Sequence, residues 1–111
     1  MMGDRIMGVV SKDILVMHGR MDDLFETLRT SDFLRKAEGL GMIDVDIVVN
    51  DNNKTALEAT FVSDEGMDWF RKNFNEGLGE ALAKTGIAEI GEMHERRSFK
   101  MNEVRSRLSL K

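Results

Sequence analysis

The sequence has no cysteine, no proline and no tyrosine, and only two histidines, His18 and His94. Without cysteine there is neither a disulfide framework nor thiolate chemistry. Without tyrosine no phenol is available as an acid or a nucleophile, and without proline the helices run unkinked. Long apolar runs are missing as well. The longest near the start, 14–17, is far short of a membrane span, and neither end reads as a targeting signal. The expectation is a cytoplasmic protein with no membrane partner.

What is present fits an ordinary folded domain. At 111 residues, a split would leave halves too small to hold a core, so 1–111 reads as a single domain. Hydrophobic residues at 41% and charged residues at 32% separate it from disordered chains. Nine methionines supply adaptable packing. The net charge of −4 conceals an asymmetry. Residues 96–111 hold six basic side chains against Glu103 alone, a net of +5, which leaves −9 on residues 1–95. A basic C-terminal segment on an acidic body either folds back on that body or reaches for a polyanion.

The stretch 43–85 gives the clearest local reading. Ile43, Val45, Ile47 and Val49 alternate with Asp44 and Asp46, as in a half-buried strand. Pairing Val49 with Leu57, Ile47 with Ala59 and Val45 with Phe61 across a turn near 51–55 puts every core candidate on one face. Ser63 or Asp64 then caps a long helix whose stripe is Met67, Phe70, Phe74, Leu78, Ala81 and Leu82. Gly77 and Gly79 interrupt that stripe, and Thr85-Gly86 ends it. Trp69 projects away from the stripe, beside Lys72, Asn73 and Glu76.

Upstream, residues 5–10 and 14–18 read as a first hairpin turning at Ser11-Lys12-Asp13, with Met7, Val9, Leu15 and Met17 on one face. A helix from Asp22 carries Leu24, Phe25 and Leu28 inward. It breaks at Thr30-Ser31, resumes through Phe33, Leu34 and Ala37, and ends at Gly39-Leu40-Gly41. A weak internal echo (VVSKDILV against VVNDNNKTALEATFV) fits two successive hairpin–helix units. The last quarter reads as helix, since Ile87, Ile90, Met93, His94, Arg97, Met101, Val104 and Leu108 trace one face, although Val104, Ser106, Leu108 and Leu110 also alternate as in a strand.

The predicted fold is therefore a two-layer α+β domain: a mainly antiparallel sheet from two β-hairpins, packed against two main helices, with a helical C-terminal segment. The alternative fuses 5–18 into one strand and makes 87–94 a strand, giving the ferredoxin-like βαββαβ order.

Chemical motifs fail at defined positions. His94-Glu95 lacks the second histidine of a zinc-protease helix, because Ser98 stands there. Asp51-Asn52-Asn53 is no calcium loop, because Ala56 and Val62 occupy the glycine and glutamate positions. Asp44, Asp46 and Glu58 are paired carboxylates on the strand face turned away from the core. No catalytic, metal or cofactor site is recognised, and no enzyme is expected. In length and in its methionine-rich, cysteine-free composition the chain resembles small uncharacterised archaeal proteins, a likeness of general appearance that implies no site residue.

The functional expectation is a non-enzymatic protein-interaction or regulatory module. Its partner is another protein or a second copy, met through Trp69, Lys72, Asn73 and Glu76 and through the outer sheet face near Val48 and Val62. The alternative is binding of DNA or RNA through Arg96, Arg97, Lys100, Arg105 and Arg107.

Overall fold

The segment 8–16 is strand throughout: β1, Gly8–Val16, runs without a turn through Ser11, Lys12 and Asp13. In the computed structural model, residues 7–49 and 54–97 are described. After β1 come α1 (Met21–Arg29), α2 (Asp32–Gly39), β2 (Met42–Val49), β3 (Thr55–Phe61), α3 (Asp64–Phe74), a π-helical stretch (Asn75–Gly79), α4 (Glu80–Lys84) and β4 (Ala88–Arg97). The strands form one antiparallel sheet in the order β2-β3-β1-β4. With α1 and α2 as the first crossover and α3 to α4 as the second, this is the ferredoxin-like βαββαβ arrangement. The α+β class stands, in its alternative form.

Three expectations change for identifiable reasons. The first hairpin does not form, and with it goes the echo of two hairpin–helix units. Lys12 on the inward face interrupts the apolar alternation of β1 and imitates a turn. The buried set is Gly8, Val10, Lys12 and Ile14 rather than Met7, Val9, Leu15 and Met17, and Leu15 is 58% exposed.

The β2–β3 register differs by two residues from the expected one. Val49 meets Thr55, Ile47 meets Leu57 and Val45 meets Ala59. A two-residue slip keeps every side chain on its face, so burial pattern alone does not detect it. An irregularity beside Ile43 then brings Met42 opposite Phe61.

Segment 88–97 is strand, not helix. Lys12 pairs with Met93 while Ile14 pairs with Ile90, so Gly91 and Glu92 together oppose Asp13. This β-bulge places Ile90 and Met93 on the same face three residues apart, which mimics helical spacing. A Cβ at Gly91 would lie 2.9 Å from the Asp13 Cβ, so the bulge takes a residue without one. Residues 98–111, where the helical reading continued, lie outside the described residues.

The helix boundaries agree with the expected ones. Ser31 Oγ accepts the Leu34 N–H at 3.2 Å, opening α2. Ser63 Oγ accepts the Gly66 N–H at 3.0 Å and donates to the Leu40 carbonyl at 2.7 Å, joining the start of α3 to the end of α2. Gly41 at φ 111° and Gly86 at φ 71° end their helices in a conformation glycine adopts without strain. On α1, Leu24 is buried, but Phe25, turned a further 100° around the helix, is 51% exposed.

The core joins Val10, Ile14, Leu57, Ala59 and Phe61 of the sheet to Leu34, Met67, Phe70, Phe74, Leu78 and Leu82 of the helices. Ala81 is exposed, because the π turn carries the stripe in steps of four from Phe74 to Leu78 to Leu82. Phe33 is the hub of the aromatic packing. Its ring centroid lies 4.9 Å from Trp69, 5.1 Å from Phe70 and 5.8 Å from Phe74. A Cβ at Gly77 would fall on the Phe33 ring, which explains a glycine inside a helix.

At the far end of β4, Arg97 pairs with Asp64, Asp68 and Glu95, and Arg71 reaches Glu95 at 3.2 Å. Hydrogen bonds to Glu95 first, and then to Asp68, hold the Arg97 guanidinium above its ordinary pKa, so it stays charged wherever the protein is folded.

Two stability predictions follow from this packing. Gly77→Ala raises helix propensity by about 1 kcal/mol but forces Phe33 aside at a cost of about 1–3 kcal/mol. Urea unfolding is expected to show a net loss of up to about 2 kcal/mol; a stabilised variant would mean that Phe33 does not occupy this seat. Arg97→Gln removes a half-exposed ion cluster and costs under about 1 kcal/mol. That difference is expected to disappear in about 1 M salt, and an undiminished loss would place its origin in packing.

Candidate functional site

Four surface features bear on function, and β1 contributes to two of them. The first is the surface around Trp69. The half-buried indole stacks on Phe33 with 20° between the ring planes, so it packs against α2. Asn73 Nδ2 donates to the Trp69 carbonyl at 2.9 Å. Trp69, Asn73 and Glu76 line a shallow recess of about 360 Å³ with Phe33 and Lys36, whereas Lys72 is exposed outside it. The structure thus gathers three of the four anticipated partner-binding residues and adds Asp32, Phe33 and Lys36 from α2.

The second feature is the outer face of the sheet, opposite the helices. Register fixes its rows, since directly paired residues share a face. One row reads Asp46, Glu58, Ser11, His94 from β2 across to β4; the next reads Asp44, Thr60, Val9, Arg96. Across these two rows the face is acidic on β2 and β3 and carries His94 and Arg96 on β4; Asp13 stands beside His94, and Glu89 pairs with Leu15 further along β4. Val48 sits half-buried on this face beside Ala56, and Val62 is exposed just past β3.

His94 Nε2 lies 3.0 Å from Asp13 Oδ2. Ser11 is the rung neighbour of His94, and a cleft of about 270 Å³ passes Val9, Ser11, Glu58 and His94. Serine, histidine and aspartate therefore meet here although their spacing along the chain gave no sign of it. No hydrogen bond joins Ser11 to the imidazole among the described residues, so the relay that activates a serine nucleophile is not assembled. His18 lies beyond the opposite end of the β1–β4 ladder, past the Val16–Ala88 rung. Among the described residues no three His, Asp or Glu side chains are placed to hold a metal ion.

The third feature is the start of the basic segment. Arg97 is engaged by three carboxylates, two of them on the first turns of α3. Arg97 thus meets the long helix at Asp64 and Asp68. Arg96 is exposed on the outer sheet face and makes no ion pair with a described residue. Lys100, Arg105 and Arg107 lie outside the described residues.

The fourth feature is Lys12, which the sequence reading assigned to a turn. It stands on the central strand facing the helices, only 6% exposed, with Nζ 5.7 Å from the centroid of Phe74. It lines a cleft of about 370 Å³ between the π-helical stretch and β4, with Asn75, Gly79, Glu80 and Ile90. A signal was present: segment 8–16 contains no proline, asparagine or internal glycine to make a turn.

Among the described residues no helix is long and apolar enough to cross a membrane. No family model matches the chain, and no curated protein matches it. Solved structures do match. MupZ from Pseudomonas fluorescens is 11% identical, with 95% of this chain and 78% of that one covered and a TM-score of 0.55. A dimeric ferredoxin-like protein from an uncultured marine organism is 14% identical, with 82% and 85% covered and a TM-score of 0.47. A candidate antibiotic biosynthesis monooxygenase from Chloroflexus aurantiacus is 16% identical, with 84% and 93% covered and a TM-score of 0.48. The likeness is one of fold, the ferredoxin-like α+β arrangement that the strand order also gives.

Proposed function

We propose that this protein is a small interaction module that associates with a second copy of itself through the outer face of its sheet. The observation that carries the reading is the charge gradient across that face. In the two rows that cross it, Asp44, Asp46 and Glu58 stand on β2 and β3 and His94 and Arg96 on β4, with Asp13 beside His94 and Glu89 outside these rows. Two copies related by a two-fold axis parallel to the strands would place each acidic side against the other's basic side. An axis across the strands would oppose like charges, so the gradient also selects the orientation.

On the two central strands Val9, Ser11, Ala56 and Thr60 are half-buried and mostly small, as suits close sheet-on-sheet packing, with Val48 beside Ala56 on β2 and Asp13 in the same row. Four strands spaced about 4.8 Å apart and eight residues at about 3.3 Å give a face of roughly 19 by 26 Å. A footprint of about 500 Å² is below the roughly 800 Å² that each partner of a standard interface buries, so the association is expected to be weak. Trp69, stacked inside its own chain on Phe33, serves the helix layer in this reading, and the recess beside it remains an open surface.

The test is a charge exchange read by sedimentation. Wild type is expected to be dimeric at roughly 100 μM, a concentration that reveals even weak association. Asp44→Lys with Asp46→Lys should be monomeric, as should His94→Glu with Arg96→Glu, and mixing the two variants should restore a heterodimer. All four positions carry exposed side chains, so folding is expected to be unaffected. A monomeric wild type, or variants that stay apart when mixed, would sink the proposal.

A further inference from the structure

Lys12 is the only charged side chain in the core of the described residues. Its ammonium has no hydrogen bond and no ion pair with a described residue; the face of Phe74 is its one recorded partner. Nor is it sealed in, since no described side-chain nitrogen or oxygen is both cut off from solvent and unpartnered. A cationic head held this way costs desolvation that a methionine of similar length would avoid. The aromatic contact recovers only part of that cost. Its three N–H donors find no acceptor among the described residues and open onto the edge of a cleft.

Two backbone irregularities meet at this cleft. On the helix side is the π-helical stretch, in which the Glu80 N–H bonds to the Asn75 carbonyl five residues back. Insertions of this kind recur at functional sites. On the sheet side is the bulge at Gly91 and Glu92, which leaves Ile90 facing inward beside the cleft. The helix and the strand that flank Lys12 thus both depart from regular geometry where they border the same space.

We infer that this cleft is a binding site for a small organic carboxylate, with Lys12 pairing its negative charge. One ammonium neutralises one negative charge, and Glu80 on the rim disfavours a dianion, which points away from phosphate. Ile90 and Ala83 supply apolar wall suited to a hydrocarbon or aryl body, and Gly79 and Gly91 leave room for it. Asn75 offers an amide to a second polar group on the ligand. The volume of about 370 Å³ admits on the order of ten non-hydrogen atoms.

The test is a titration of the isotope-labelled protein followed by amide and Lys12 side-chain resonances, using benzoate, benzamide and inorganic phosphate as probes. Benzoate is expected to give saturable shifts at Lys12, residues 75–80 and residues 90–91, while benzamide and phosphate give none. Lys12→Met is expected to weaken benzoate at least about tenfold, and Glu80→Gln, at an exposed position, to tighten it by about threefold. If Lys12→Met does not fold, Ala83→Asp at the exposed rim is expected to weaken benzoate by a similar factor. The inference is overturned by any of four results: no saturable benzoate shift, equal binding of benzamide, binding of phosphate but not benzoate, or unchanged benzoate affinity in a folded Lys12 or Ala83 variant.

Discussion

The helix layer of this protein depends on one ring and one missing side chain. Phe33 lies where Gly77 has no Cβ, and from that seat it touches Trp69, Phe70 and Phe74 together. Phe70 in turn meets Phe61 of β3 at 5.4 Å, so the chain of rings runs from the short crossover helix through the long one to the sheet. The π turn belongs to the same arrangement. It includes Gly77 and carries the apolar stripe onward to Leu82. The serine caps then set where each helix begins, and the Ser63 hydroxyl connects the two crossovers directly.

β1 links the two surfaces on which function is placed. Successive residues of a strand point to opposite faces, so Ser11 and Lys12, neighbours in sequence, serve different sides of the sheet. Ser11 lies in the row between Glu58 and His94, while Lys12 lies over Phe74. Neither surface disturbs the apolar core, because Val10 and Ile14 above and below Lys12 keep the inner face closed. A short polar triplet thereby equips both faces of a central strand without a loop.

The helices were legible in the sequence because their signals are local. Ser31, Ser63, Gly41 and Gly86 cap or end helices through contacts within a few residues, and the stripe from Met67 to Leu82 follows helical spacing. The sheet was harder, and each miss has its own physical cause. Lys12 concealed a continuous strand by putting a charge where an apolar side chain was expected. The bulge at Gly91 converted alternation into an apparent spacing of three. The β2–β3 slip left every residue on its proper face. The outer rows were out of reach altogether, since bringing Ser11, Asp13, Glu58 and His94 together requires two inter-strand registers that no single segment encodes.

The strand order has a consequence for how the chain reaches this structure. Only β2 and β3 are neighbours both in sequence and in the sheet. β1 is made first yet sits in the middle, and its partners come much later: the Val9–Arg96 rung spans 87 residues. Closing such separations costs entropy before the contacts repay it, and pairings of this kind slow folding. During synthesis β1 therefore emerges with both edges unpaired; β3 follows at 55–61, and the second edge waits for β4 and nearly the whole described chain. For that interval the polar triplet at its centre acts as a safeguard, keeping an otherwise apolar strand from pairing with another of its kind.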